Sequence, residues 1–129
     1  MKARRYEVYT PFKEEIPTEF FGPPHITSSG AVLDPPADFI RVAKILEQVL
    51  GIYELNRDRD GRFLLKSLIV DKAERGKGVG TWLLRHAIGV TETKGGRSLV
   101  LQDLSSKKFF EDFDFQQIGN ELVYYLVPD

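Results

Sequence analysis

Hydrophobic patterning is most regular in the second half of the chain. Residues 63–70, Phe-Leu-Leu-Lys-Ser-Leu-Ile-Val, are nearly continuous in apolar side chains, the pattern of an interior strand buried on both faces. Val79, Trp82, Leu83, His86, Ala87 and Val90 then recur at helical spacing, and Lys94-Gly95-Gly96 ends that helix. Between strand and helix lies a charged, glycine-rich loop, residues 71–80. Residues 98–101 read as a short apolar strand, and residues 105–113 as a helix with a serine near its start. Residues 115–118 and 121–127 form a hairpin about Gly119-Asn120. Upstream, residues 52–55 are a strand, and Arg57-Asp58-Arg59-Asp60-Gly61 is a polar turn with the Asp-Gly pair of a hairpin at its end. Residues 4–10 alternate as a strand, Tyr6 and Val8 against Glu7 and Tyr9.

Residues 39–50 are open to two readings. Asp38 could cap a helix whose apolar positions are Phe39, Val42, Ala43, Leu46 and Val49, with Gly51 as its stop. The rival is a strand over 39–45, a tight turn at 46–48 and a second strand running into 52–56. Residues 11–38 hold six of the seven prolines, which leaves room for a turn or two of helix at most, near 13–15 or 18–21. Phe20 and Phe21 are the candidate anchors of this arm. The order of strands, helix, strand, helix and hairpin is that of a mixed α/β or α+β sheet domain.

Composition narrows the chemistry. A length of 129 residues predicts one domain, since a domain takes roughly 100–200 residues. Without cysteine there is no disulfide framework, thiolate zinc site or cysteine nucleophile. The two histidines, His25 and His86, read as one loop and one helix histidine with no shared role, and no metal site is expected. Eighteen basic against nineteen acidic residues give a net charge of −1, without the basic excess of a protein that binds nucleic-acid backbone. The first seven residues carry two arginines but no apolar core behind them, and no window approaches about 18 apolar residues. The expectation is a cytoplasmic protein with neither nucleic-acid nor membrane partners.

The informative segment is Leu68-Ile69-Val70-Asp71-Lys72-Ala73-Glu74-Arg75-Gly76-Lys77-Gly78-Val79-Gly80-Thr81. It runs from strand through loop to helix N-terminus. Three glycines at alternate positions let the backbone turn tightly and let a ligand approach. Amide N–H groups in the first helical turn lack intrahelical partners and sit at the positive end of the macrodipole. Arg75 and Lys77 add formal charge. This is a site for a phosphate or diphosphate. The spacing is not that of a P-loop, which needs a glycine five residues before Gly-Lys-[Ser/Thr]. Nor is it the G-x-G-x-x-G of a dinucleotide fold, since Gly76, Gly78 and Gly80 fall one residue short. It does fit R-x-x-G-x-G, through Arg75, Gly78 and Gly80.

That segment resembles the acetyl-CoA-binding motif [QR]-x-x-G-x-[GA] of the GNAT N-acetyltransferase superfamily, preceded by an apolar strand ending in Val-Asp. Residues 99–103 and the run Lys108-Phe109-Phe110-Glu111-Asp112-Phe113-Asp114-Phe115 resemble that family's next strand, its N-x-x-A-x-x-x-Y helix and its F-Y-E-K-L-G-F phrase. The resemblance covers roughly residues 51–127; residues 1–38 match the family's usual start in neither length nor pattern, and read as an atypical N-terminal arm of a single domain spanning 1–129. It implies a GNAT-like central sheet, mixed and mostly antiparallel, with two splayed strands and flanking helices. It also implies that 39–45 and 49–56 are the two strands of a hairpin, against the helical periodicity.

The function implied is transfer of an acetyl group from acetyl-CoA, the co-substrate, directly to a primary amine of a small molecule or protein. The backbone of Leu68, Ile69 and Val70 would pair with the pantetheine arm. Arg75, Gly76, Lys77, Gly78, Val79, Gly80 and Thr81 would hold the diphosphate, with Ser106, Phe109 and Phe110 completing the cofactor side. No acyl-enzyme is needed, which suits a chain without cysteine. Carried over residue by residue, the second motif departs from the family: its Asn falls on Asp103, its Ala on Ser106, its Tyr on Phe110, and the Gly of L-G-F on Asp114. The family's tyrosine is commonly the acid that protonates the leaving thiolate, and Phe110 has no hydroxyl. Glu54 and Asp103 are the candidate bases, Tyr124 or Tyr125 the candidate substitute acid, and Lys107 and Lys108 candidates for the ribose phosphate. Trp82 reads as core. Two alternatives stay open: a non-catalytic acetyl-CoA-binding regulator or interaction module, and a phosphate-ligand binder unrelated to CoA.

Overall fold

The segment with two readings forms strands. In the computed structural model, which describes residues 7–9 (backbone only), 38–45, 48–102 and 104–126, β1 is Glu7–Tyr9, β2 Phe39–Ile45 and β3 Gln48–Arg59. Val42 and Ala43 are both fully buried although adjacent. Neighbouring side chains on a strand point to opposite faces, so β2, flanked by β1 and β3, is covered on both sides. An interior strand need not alternate, and that is how its apolar residues came to imitate a helix. The proline-rich arm, its Phe20 and Phe21, and His25 lie outside the described residues.

After β3 come β4 (Arg62–Val70), a 3-10 turn at Lys72–Glu74, helix α1 (Val79–Thr93), β5 (Ser98–Leu101), helix α2 (Lys107–Glu111), β6 (Gln116–Ile118) and β7 (Glu121–Tyr125). The seven strands make one sheet in the order β1-β2-β3-β4-β5-β7-β6. Every neighbouring pair is antiparallel except β4 and β5, which run parallel and are joined through α1. Among the described residues, no helix is long and apolar enough to cross a membrane.

Three elements differ in extent from the sequence pattern. Strand β3 continues through the polar residues Arg57–Arg59, so the turn shrinks to Asp60-Gly61. Asp58 is the extra residue of a bulge there, and its carboxylate pairs with Arg62 Nε at 2.6 Å. Helix α2 is shorter than the 105–113 expected, because Asp114 takes the left-handed conformation at φ 70°, alone among the described non-glycine residues. β6 and β7 turn about Gly119, but residue 127 lies outside the described residues.

Two features of the sheet position the site. The first is the fit of α1. Tyr53, Leu55, Leu65, Leu68 and Val70 share one face with Val79, Leu83, Leu84 and Ala87 of the helix, while Val42, Val49, Ile52 and Ile69 cluster on the other. The start of α1 sits close over Gly51 of β3, where a Cβ would lie 2.6 Å from Leu83 Cδ1 and 2.9 Å from the Ile69 carbonyl oxygen. The second is the parting of β4 and β5. Their pairing comprises Arg62 with Ser98, Phe63 with Leu99 and Leu64 with Val100, and stops there. β4 runs six residues further, to Val70, with no described strand on that side. A bulge at Lys66 lies just beyond the parting point, where such an insertion re-aims side chains.

Candidate functional site

The loop between β4 and α1 is built by short-range bonds. Asp71 donates its N–H to the Leu50 carbonyl at 2.8 Å and accepts from Ala73 N–H at 3.4 Å, starting the 3-10 turn. Gly76 and Gly78 then take φ 78° and 88°, a region that side-chain-bearing residues rarely enter. Gly78 is the N-cap of α1, and no side chain caps the helix. The first intrahelical bond runs from Trp82 N–H to the Gly78 carbonyl at 3.0 Å, so the N–H groups of Val79, Gly80 and Thr81 have no partner within the helix. A Cβ placed on Gly76 or Gly78 would meet none of the described residues within 4 Å. The glycines thus hold open space rather than satisfy crowding.

That space is a cavity of about 380 Å³ lined by Val70, Glu74, Arg75, Gly76, Gly78, Gly80, Thr81 and Phe109. Seven of these residues belong to the segment 68–81 singled out from the sequence, and the fold brings Phe109 of α2 to meet them. Lys77 is exposed, its ammonium 3.6 Å from the Glu74 carboxylate. Glu74 is a feature the motif does not announce, and its negative charge in this wall is balanced by Lys77 beside it. Leu68, Ile69 and Val70 have buried side chains, and their backbone forms the unaccompanied stretch of β4 that leads from the parting point to this cavity. Val79 is buried against the sheet, so it contributes its N–H, not its side chain.

Helix α2 sorts its two aromatic rings. Phe109 reaches the cavity. Phe110 is turned inward, 1% exposed, with its ring 5.0 Å from that of Phe109 and 5.3 Å from that of Phe115. Ser106 is the N-cap of α2 without a side-chain capping bond. Lys107 lies 3.9 Å from the Glu111 carboxylate.

Of the candidate acid–base groups, Glu54 is fully buried on β3 and accepts a hydrogen bond from Ser67 Oγ of β4 at 2.7 Å. By strand alternation both face the side of the sheet away from α1, with Ile52 and Ile69. Ser67 is the partner that the sequence did not single out. Tyr124 of β7 is half-buried with its ring 5.3 Å from Phe115, and Tyr125 is exposed. Asp103 lies outside the described residues. His86 of α1 stacks on Trp82 at 5.6 Å and bonds through Nδ1 to the Tyr53 hydroxyl at 2.6 Å. Burial, and then the nearby Arg41 charge, lower its pKa from the ordinary value. Among the described residues there is no group of three or more His, Cys, Asp or Glu placed to hold a metal ion.

The sequence matches the Acetyltransferase (GNAT) family over residues 5–115. The chain belongs to this family. Its co-substrate is therefore acetyl-CoA, and its general activity acetyl-CoA-dependent acetyl transfer. No curated protein matches it by sequence. Among solved structures, an IAA acetyltransferase from Bacillus cereus ATCC 14579 is 20% identical, with a TM-score of 0.70 over 95% of this chain and 100% of that one. The N-acetylglutamate synthase of Neisseria gonorrhoeae, complexed with coenzyme A and N-acetyl-glutamate, is 15% identical with a TM-score of 0.80; the match covers 98% of this chain but 36% of that longer protein. Both share the fold. A GNAT family acetyltransferase from Brucella melitensis, in complex with acetyl-CoA, is 26% identical with a TM-score of 0.60, covering 71% of this chain and 60% of that one. The loop suits the co-substrate on its own geometry: partnerless helix N–H groups, glycines facing open space, and a basic residue in the wall.

Proposed function

We propose that this GNAT protein is an N-acetyltransferase that moves the acetyl group of acetyl-CoA directly to a primary amine of a small molecule or a protein. The observation that carries the reading is the continuity of the loop cavity with the six unaccompanied residues of β4. An extended ligand arm lying along Leu68, Ile69 and Val70 takes up their free backbone groups as an added strand would. The N–H groups from Gly76 to Thr81, with Arg75 and Lys77 at the rim, hold the diphosphate. Phe109 flanks the arm from α2, whose N-cap is Ser106, and Phe110 backs Phe109 from within the core. A backbone N–H on β4 then polarises the thioester carbonyl where the strands part.

Glu54 is the proposed base. The Ser67 hydroxyl fixes one carboxylate oxygen, and its face of the sheet is the one opposite the helix that carries the loop. It draws the proton from the attacking ammonium or amine, so that nitrogen bonds to the acyl carbon as the carbon–sulfur bond breaks. Asp103 is a second candidate for the same task. Tyr124 is the candidate donor to the departing thiolate, and a thiol of ordinary pKa near 8.5 also leaves unaided at neutral pH. The test is a panel of primary amines with acetyl-CoA, read by thiol release. Turnover with at least one amine and with no alcohol supports the reading. Acetyl-CoA binding with turnover only on hydroxyl acceptors overturns it.

One observation favours a second reading, a non-catalytic acetyl-CoA-binding module. The position of the family's acid is Phe110, fully packed between Phe109 and Phe115. Tight acetyl-CoA binding with no thiol release on any amine, protein N-termini and lysines included, selects this reading.

A further inference from the structure

We propose that the hollow between β2 and the C-terminal half of α1 is a second binding site, for a compact oxyanion such as a carboxylate or a phosphate monoester. It measures about 400 Å³ and is lined by Arg41, His86, Gly89, Val90, Thr93 and Lys94. It shares no described lining residue with the acetyl-CoA cavity.

Gly89 keeps one wall of the hollow bare. That residue lies in the middle of α1 with its backbone in ordinary helical conformation, and a Cβ there would meet nothing within 4 Å. Alanine or a longer side chain would make a firmer helix at such an exposed position. Neither backbone geometry nor crowding by the described residues calls for glycine here, whereas an occupant of the space it leaves does.

The walls present donors. Arg41 lies on the α1-facing side of β2, two residues from Phe39, and its Nη1 donates to its neighbour's Ile40 carbonyl at 2.9 Å. Lys94 sits with Nζ 4.4 Å above the Phe39 ring, a position that holds the ammonium near Arg41. His86 completes the set through its tautomer. Burial pushes the Tyr53 phenol far above its usual pKa, so it keeps its proton, and its hydroxyl lies 2.6 Å from His86 Nδ1. In the tautomer in which that hydroxyl donates to Nδ1, Nε2 carries the ring proton and adds a second donor to a ring that lines the hollow. Among the described residues, the charged and titratable groups around that ring are Arg41 from β2, Tyr53 from β3 and Lys94 from the end of α1. No carboxylate is among the described lining residues. The carbonyl end of α1 opposes an anion with about half a charge. Its carbonyls are, however, occupied by the N–H groups of Lys94, Gly95 and Gly96, and two full positive charges outweigh it. The neighbouring hollow at the β3–β4 turn differs, since Asp58 and Asp60 line it beside Arg57 and Arg59.

The test is nuclear magnetic resonance of the full chain, following the His86 ring during titration with inorganic phosphate and, separately, with succinate. Saturable shifts are expected, with the His86 pKa rising on binding because a bound anion offsets Arg41. Arg41→Gln should weaken binding about tenfold or more, the loss of a charge-assisted hydrogen bond. Gly89→Leu should fill the hollow and abolish binding while melting no lower than the wild type. A preference between the two probes identifies the ligand as phosphate or carboxylate; equal affinities leave the oxyanion class intact. No saturable shift with either probe, or unchanged affinity in both variants, overturns the proposal.

Discussion

Replacing Gly51 with alanine tests how the sheet sets the height of the loop. The new methyl would lie 2.6 Å from Leu83 Cδ1, 2.9 Å from the Ile69 carbonyl oxygen and 3.4 Å from Val79 Cγ1. Leu83 can swing its terminal methyl away. The Ile69 carbonyl cannot, because Ile69 is registered with Ile52 in the β3–β4 ladder. Overpacking a core by one methyl costs about 1–3 kcal/mol, and the lower unfolded-state entropy of alanine returns about 0.4–1 kcal/mol. The net expectation is a loss of about 0.5–2 kcal/mol, or roughly 2–8 °C in Tm for a chain of this size. Because Val79 and Leu83 open α1, lifting them displaces the N–H groups of the first turn, so acetyl-CoA affinity should fall as well. Leu83→Ala provides the control. Alone it leaves a cavity worth about 2–5 kcal/mol; combined with Gly51→Ala it gives the new methyl part of that space. The double variant should therefore be more stable than the two losses added, by about 0.5 kcal/mol or more. Thermal melts and acetyl-CoA calorimetry on the three variants decide it. An unchanged Tm for Gly51→Ala, or strict additivity with Leu83→Ala, would refute the account of close packing.

Four further outcomes are expected. Gly78→Val places a β-branched residue at φ 88° in the open mouth of the loop; strain of about 1–3 kcal/mol should lower Tm, and acetyl-CoA binding by calorimetry should be lost in protein that remains folded. Glu54→Gln keeps an acceptor for Ser67, so it should fold and bind acetyl-CoA normally while kcat falls about 10²–10⁴-fold; a kcat within twofold of wild type removes Glu54 as the base. Asp114→Gly removes a side chain from φ 70° and should stabilise by about 0.5–1 kcal/mol, seen as a higher midpoint in urea. His86 titrates lower in the folded protein than its ordinary value of about 6.5, so the unfolded chain takes up the proton first; stability should decline as pH falls below that value toward the folded pKa, and His86→Gln should flatten that part of the profile.

Much of the fold was legible in residues 63–126, where each element has a local cause. The run Leu68-Ile69-Val70, the three loop glycines and the spaced apolar face from Val79 to Val90 named strand, loop and helix directly. Residues 39–45 were not legible from periodicity, because burial on both faces erases the alternation that marks a strand, and the family resemblance had to choose. The Glu54–Ser67 pair is a case between these. It depends on register across the β3–β4 hairpin, and each strand carries a bulge, at Asp58 and at Lys66. The two insertions offset each other, so counting straight back from Arg59 opposite Arg62 does land on Glu54 opposite Ser67. Nothing in the sequence announced that the count would survive. Asp114 was visible as a departure from the family phrase, but only its φ shows that the backbone kept the conformation glycine would favour. The Tyr53–His86 bond joins residues 33 apart through tertiary packing alone, and no spacing rule reaches it.

The parting of β4 from β5 also has a mechanical consequence. Strands β1 to β4 form one leaf of the sheet and β5 to β7 another, and among the described residues three pairs at one end make up the strand pairing along their shared border. Polar contacts across that border lie at the same end: Gly61 accepts from Arg97 N–H at 2.6 Å and from Ser98 N–H at 3.0 Å, and Arg62 reaches Glu121 at 2.5 Å. The backbone ties between the leaves are thus concentrated where the β3–β4 turn is, and the border is open toward the loop. A ligand arm laid in the gap, as proposed, would act as a clasp at the free end of that border. Amide hydrogens of residues 65–70 and the opening angle between the leaves should respond together to occupancy, so a substitution at Arg62 or Glu121, far from the thioester, is positioned to change how tightly the clasp closes.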